Sequence, residues 1–151
     1  MNRQSLLKRK PKTDVAKNFV GVTQYDQKGR PKVLLVPGSE AKRYQVILRR
    51  YQLINEDGNP LKKITAECRL ETGRGHLGCP GNSRKRHQHQ ETICYHARAA
   101  IDYVIEDAGF KAYWCTSQKD AMREHRMIGG FIMQAASHQN SAVAWIIVVK
   151  K

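Results

Sequence analysis

Residues 68–96, reading CRLETGRGHLGCPGNSRKRHQHQETICYH, hold three of the four cysteines and four of the six histidines of the chain. This stretch constrains the fold more than any other. Its flanking runs GRGHLG and NSRKRHQHQ are too polar to bury apolar thiols as small hydrophobes. Thiolate and imidazole together are zinc ligands, which zinc takes four at a time in a tetrahedral set, commonly as pairs from neighbouring elements. Cys68, Cys79, Cys94 and His96 form such a set. The expected cofactor is one structural Zn2+.

The spacing of the last pair carries a geometric condition. Residues two apart on a regular helix point to nearly opposite sides, so Cys94 and His96 reach one ion only if one of them lies outside the helix. Cys94 at the helix entry and His96 in the first turn satisfy that, and the helix N-terminus helps to hold a thiolate. Cys79-Pro80-Gly81-Asn82 reads as a sharp turn suited to a ligand on a loop. His87 and His89 form a His-x-His pair, and they and His76 are the alternative ligands.

Patterns on either side predict what holds this stretch. Phe19, Val20, Val22 and Tyr25, then DQKGRP, then Val33, Leu34, Leu35 and Val36 predict two strands joined by a turn at residues 26–31. Residues 44–51 fit both a helical stripe and strand alternation. The strand is preferred, because NEDGNP at 55–60 is a strong turn signal and KKITAECRLE has strand composition. The result is a long hairpin delivering Cys68 at its end. Ile93, Ala97, Ala100, Ile101, Val104 and Ile105 then predict a helix over 93–108, ended by Gly109.

The remaining residues, 110–151, read as β-α-β-β. A strand from Phe110 to Cys115 precedes a short helix capped by Thr116 or Ser117; FIMQAA and the apolar run AVAWIIVV follow. Met122 and Met127 are expected in the core, and Cys115 as a small buried residue, not a ligand. The fold class expected is α+β, a small antiparallel sheet with a zinc-bound β-β-α unit followed by a β-α-β-β segment. Its parts are a flexible basic arm at 1–17, a zinc-binding unit at 18–109 and an extension at 110–151 packed on the same domain.

Several of these pieces occur in the order of a known family. Val33 to Val36, the PGS turn, Tyr44-Gln45-Val46, a strand ending in Cys68, the Cys79-Pro80 pair, and Cys94-x-His96 opening an Ala-rich helix resemble the SWIM zinc finger. That family's pattern is Cys-x-Cys, a spacer, then Cys-x-His on a β-β-α unit. The resemblance implies Cys68 and Cys79 as the first pair and Cys94 and His96 as the second, and a role in binding DNA or proteins. Ten residues, RLETGRGHLG, stand between the first two cysteines where the family has one. The resemblance brings no catalytic residue.

Charge points the same way. Lys plus Arg total 27 against 13 Asp plus Glu, a formal +14 at pH 7, which favours phosphate-rich or otherwise acidic partners. The excess is concentrated in Arg3, Lys8, Arg9, Lys10 and Lys12 of the arm and in Arg84, Lys85 and Arg86 of the metal loop. These eight are the candidate nucleic-acid contacts, working through phosphates and counterion release. Nucleic acid is the expected partner, DNA ahead of RNA; the alternative is an adaptor whose zinc unit shapes a docking surface for an acidic protein. His125 with Glu124 or Asp120 has the composition of an acid-base set, but on a predicted helix such residues are ordinarily surface ion pairs, so no enzyme activity is expected. No apolar run approaches the ~20 residues of a membrane span, and the N-terminus lacks the apolar core of a signal peptide. A cytoplasmic chain without membrane contact is expected, where clustered cysteines serve metals more than disulfides.

Overall fold

The computed structural model describes residues 16–38, 42–54, 58, 60–70, 93–137 and 143–151. Strands β1 (Gly21–Tyr25), β2 (Pro31–Pro37), β3 (Arg43–Ile54) and β4 (Pro60–Leu70) come first, then helix α1 (Tyr95–Asp107). Strand β5 (Phe110–Cys115), helix α2 (Gln118–Ile128) and strands β6 (Phe131–Ser137) and β7 (Ala144–Lys150) follow. All seven strands join one sheet in the order β1-β2-β3-β4-β6-β7-β5.

The first four strands form a meander, and the turn between β1 and β2 is written in the sequence. Asp26 accepts backbone hydrogen bonds from Lys28 and Arg30, both at 2.9 Å, and Gly29 takes φ 76, which only a residue without Cβ adopts at little cost. Residues 44–51 are strand, and β3 pairs with β4 from Tyr44↔Leu70 to Ile54↔Pro60. Tyr44, Val46 and Leu48 of β3 are buried, as are Ile64, Ala66 and Cys68 of β4. Alternation with period two therefore sends one apolar set from each strand to the same face.

The sequence pattern predicts a small antiparallel sheet with a zinc-bound β-β-α unit followed by a β-α-β-β segment, and the structure corrects this. The protein is mostly β, a single seven-stranded mixed sheet with two helices among the described residues. The reason is the outer edge of β4, whose N–H and C=O groups need partners. They find them in parallel pairing with β6, from Lys62↔Met133 to Ala66↔Ser137. Residues from the expected zinc unit and from the expected extension thus share one hydrogen-bonded sheet.

The two helices cover opposite faces. On one face Leu34, Val36, Val46, Leu48, Ile146 and Val148 pack with Ala97, Ala100 and Ile101 of α1. On the other, Ala121 and Ile128 of α2 pack with Cys115, Ile147 and Ile132. Strand β7 is apolar from Ala144 to Val149 because it serves both, Ile146 and Ile147 pointing to opposite faces with no exposed surface. Ser117 caps α2, its Oγ accepting from Asp120 N at 3.1 Å, and Gly129 at φ 76 ends it.

Side chains on α2 differ from expectation. Met122 and Met127 are exposed, at 45% and 56%, because the helix turns Ala121, Glu124 and Ile128 toward the sheet instead. Glu124 is buried, not exposed on the surface. No helix among the described residues is long and apolar enough to cross a membrane.

This packing predicts a sharp contrast between two apolar truncations. Ile146→Ala should lower the urea-unfolding free energy by about 2–5 kcal/mol, from lost burial and a cavity. Met122→Ala should stay within about 0.5 kcal/mol. A large loss at Met122 would contradict the orientation of α2.

Candidate metal centre

Three of the expected ligands converge where the end of β4 meets the start of α1. Cys68, Cys94 and His96 are buried, and one ligand atom from each lies within 4.8 Å of the other two. Strand alternation places Cys68, because it follows Ile64 and Ala66 on the α1 face. Cys94 is the N-cap of α1 with extended φ −67 and ψ 161, and His96 follows in the first turn. One ligand outside the helix and one inside it is the arrangement the two-residue spacing requires.

The helix start adds polarity. Ala97 N donates to Cys94 Sγ at 3.4 Å and Arg98 N to Cys94 O at 3.0 Å. Backbone N–H groups at a helix N-terminus and the dipole behind them favour negative charge on that sulfur.

His96 is held by packing. Its ring stacks on Tyr44 at 3.9 Å between centroids with a 27° interplanar angle, and Tyr95 lies on it at 3.9 Å and 38°. Gly38 permits this close approach. A Cβ there would collide with the Tyr44 ring and stand 3.1 Å from His96 Nε2.

Among the described residues neither ring nitrogen of His96 has a hydrogen-bond partner, though both are buried. A buried imidazole without partners is costly. A metal ion would satisfy one nitrogen, and the two sulfurs nearby are the matching donors. Tetrahedral ligation at roughly 2.0–2.3 Å sets ligand atoms a little under 4 Å apart, so the cluster needs to close by only about 1 Å. This buried Cys-Cys-His group can hold a metal ion.

Behind the ligands α1 is pinned to β5. Trp114 Nε1 donates to Asp102 Oδ1 at 2.8 Å, and the Arg98 guanidinium lies 4.8 Å over the Trp114 ring. All three side chains are buried. Nothing in the apolar stripe of the sequence singles out Arg98 or Asp102, which lie beside it.

The other candidates fall elsewhere. Cys79, His76, His87 and His89 lie outside the described residues, as do Arg3, Lys8, Arg9, Lys10, Lys12, Arg84, Lys85 and Arg86. Cys115 sits on the opposite face with Ile147 and Ala121. Burial, and then the Glu124 and Asp120 carboxylates, push its thiol up to about 12, and its place on that face sets it apart from Cys68, Cys94 and His96. On α2, Asp120 pairs with Arg123 at 3.0 Å, and His125 Nδ1 lies 3.1 Å from Gly129 O. Tyr44 and Gly38 join the site only through the fold. The signal for Tyr44 was its place in the alternation with Val46, the cross-strand partner of Cys68.

No family model matches the chain, and no curated protein or solved structure matches it. Fold and site together define a mostly β protein with a buried Cys-Cys-His group suited to a metal ion.

Two cysteine variants separate the site from the rest of the core. Cys94→Ala should abolish stoichiometric metal and lower the melting temperature by on the order of 10 °C, because ligation is coupled to folding. Cys115→Ala should keep the metal, measured by elemental analysis of purified protein.

Proposed function

We propose that the cluster is part of a structural zinc site completed by Cys79, in a protein that binds nucleic acid through phosphate contacts. The observation that carries the metal half is the convergence of Cys68, Cys94 and His96 in the buried junction of a strand and a helix. Two sulfurs and one imidazole suit zinc, and a closed ligand set is that of a structural ion; a catalytic zinc keeps an open position. No catalytic residue is assigned. A fourth ligand from Cys79 would complete the SWIM-like order of ligands.

Supplied with zinc, Cys68 and Cys94 tie together the two ends of the chain between them, which includes Arg84, Lys85 and Arg86. Tying the ends lowers the entropy that the segment retains when free. The cations then act from a restrained segment, beside those of the arm at Arg3, Lys8, Arg9, Lys10 and Lys12. The net +14 supports a polyanionic partner, with DNA proposed ahead of RNA.

Fluorescence anisotropy with short duplex and single-stranded oligonucleotides at several salt concentrations tests this. Deleting residues 1–12, and separately changing Arg84, Lys85 and Arg86 to Ala, should each weaken binding about equally across sequences. The slope of log affinity against log salt should fall by roughly one unit per phosphate contact removed. Undetectable binding at low salt by zinc-loaded protein sinks the nucleic-acid reading and favours an adaptor for an acidic protein. His87→Gln with His89→Gln should leave zinc content unchanged; loss of the ion moves the ligand set into the loop.

A further inference from the structure

The face that carries the metal site also carries a cleft at the other end of α1. It measures about 590 Å³, within the range of small-ligand sites. Helix α1 puts the two about 20 Å apart, from its length at 1.5 Å per residue.

The lining has two characters. Ile64, Met133, Val148, Phe110 and Phe131 make it apolar, and five cations, Lys28, Arg30, Arg50, Lys62 and Lys63, share it with the Asp107 carboxylate. Asp26 fixes the turn that bears Lys28 and Arg30, and pairs with Arg30 Nε at 2.8 Å. Arg50 Nη1 donates to the carbonyl of Pro31 at 2.8 Å, which holds the guanidinium beside that turn. The Lys62 ammonium lies 4.9 Å over the Phe131 ring, and Phe110 meets Phe131 edge to face at 6.1 Å. Among the described residues Lys28, Arg50, Lys62 and Lys63 form no ion pair.

Unneutralised cations gathered at one cleft raise its potential and attract an anion. A bare inorganic anion would leave the aromatic and aliphatic lining in water. The ligand that uses both characters has a flat apolar body and a negative end, as in a base with its phosphate. A base in a duplex is stacked and paired, so only an unpaired one can reach Phe131.

We propose that this cleft binds a nucleoside phosphate as one unit of a single-stranded nucleic acid, its base against Phe131 and Phe110 and its phosphate on Lys28, Arg50 and Lys62. The strand as source rests on the nucleic-acid reading above. Binding there gives the protein a preference for unpaired over paired nucleic acid.

The test uses the full-length, metal-loaded protein with a labelled short single strand, the matching duplex, and adenosine monophosphate as competitor. Phe131→Leu keeps apolar bulk and removes the ring; Lys62→Gln removes an exposed charge, so at least one of them leaves the fold intact. Each should weaken single-strand binding roughly ten-fold, with duplex binding changed less than about two-fold. Single-strand affinity unchanged in both variants overturns the cleft and leaves nucleic-acid binding to the arm and loop. If the unaltered protein binds the monophosphate but no oligonucleotide, and both variants weaken that binding, the cleft chemistry stands with free nucleotide as its source, and the nucleic-acid reading falls. If the unaltered protein binds neither, both are overturned.

Discussion

Strand β4 has two edges to satisfy, and the whole sheet is arranged by how it does so. Its antiparallel edge takes β3 along the full length, and its other edge takes β6 in parallel. Backbone groups left open in the middle of a sheet would cost as much as lost hydrogen bonds, so this pairing binds the front and back of the chain into one sheet. The same strand reaches both functional candidates. Lys62 near its start lines the basic cleft and Cys68 near its end belongs to the Cys-Cys-His group that can hold a metal, about 20 Å away at the rise of a strand.

Helix α1 repeats that polarity. Its first turn supplies His96 and its N-cap supplies Cys94, while Val104, Ile105 and Asp107 near its end line the cleft. The helix is pinned between these points by Asp102 and Arg98 against Trp114. A metal bound at Cys68, Cys94 and His96 would join the strand end to the helix start, and ligand bound only by the folded chain adds to stability by mass action. The buried His96 nitrogens supply the reason for an ion, since packing between Tyr44 and Tyr95 satisfies the ring faces and not its polar edge.

Local features were legible in the sequence because local physics decides them. The turn at residues 26–31, the hairpin ending in Cys68 and the helix after Cys94 follow from turn residues, alternation and capping. The split of Cys94 and His96 across the helix boundary follows from helical geometry alone. Long-range features were not legible. Nothing local says that residues 62–66 pair with 133–137, so the sheet was expected to be smaller and antiparallel. Met122 and Met127 were expected inside because hydrophobicity alone does not say which face a short helix buries; Ala121, Glu124 and Ile128 took that face. Tyr44 and Gly38 carry no local signal of a site, because their part in it is contact with His96 across distant sequence. The cleft carries none for the same reason, its cations coming from a turn and two strands.

The central claim is that sulfur and imidazole at the junction of β4 and α1 hold one zinc. X-ray absorption at the zinc edge of the purified protein tests it most directly, because it counts ligand types around the ion. The account predicts a four-coordinate shell of three sulfurs at about 2.3 Å and one nitrogen at about 2.0 Å, from Cys68, Cys79, Cys94 and His96. A shell of nitrogen and oxygen without sulfur, or a protein that takes up no zinc at all, would contradict it.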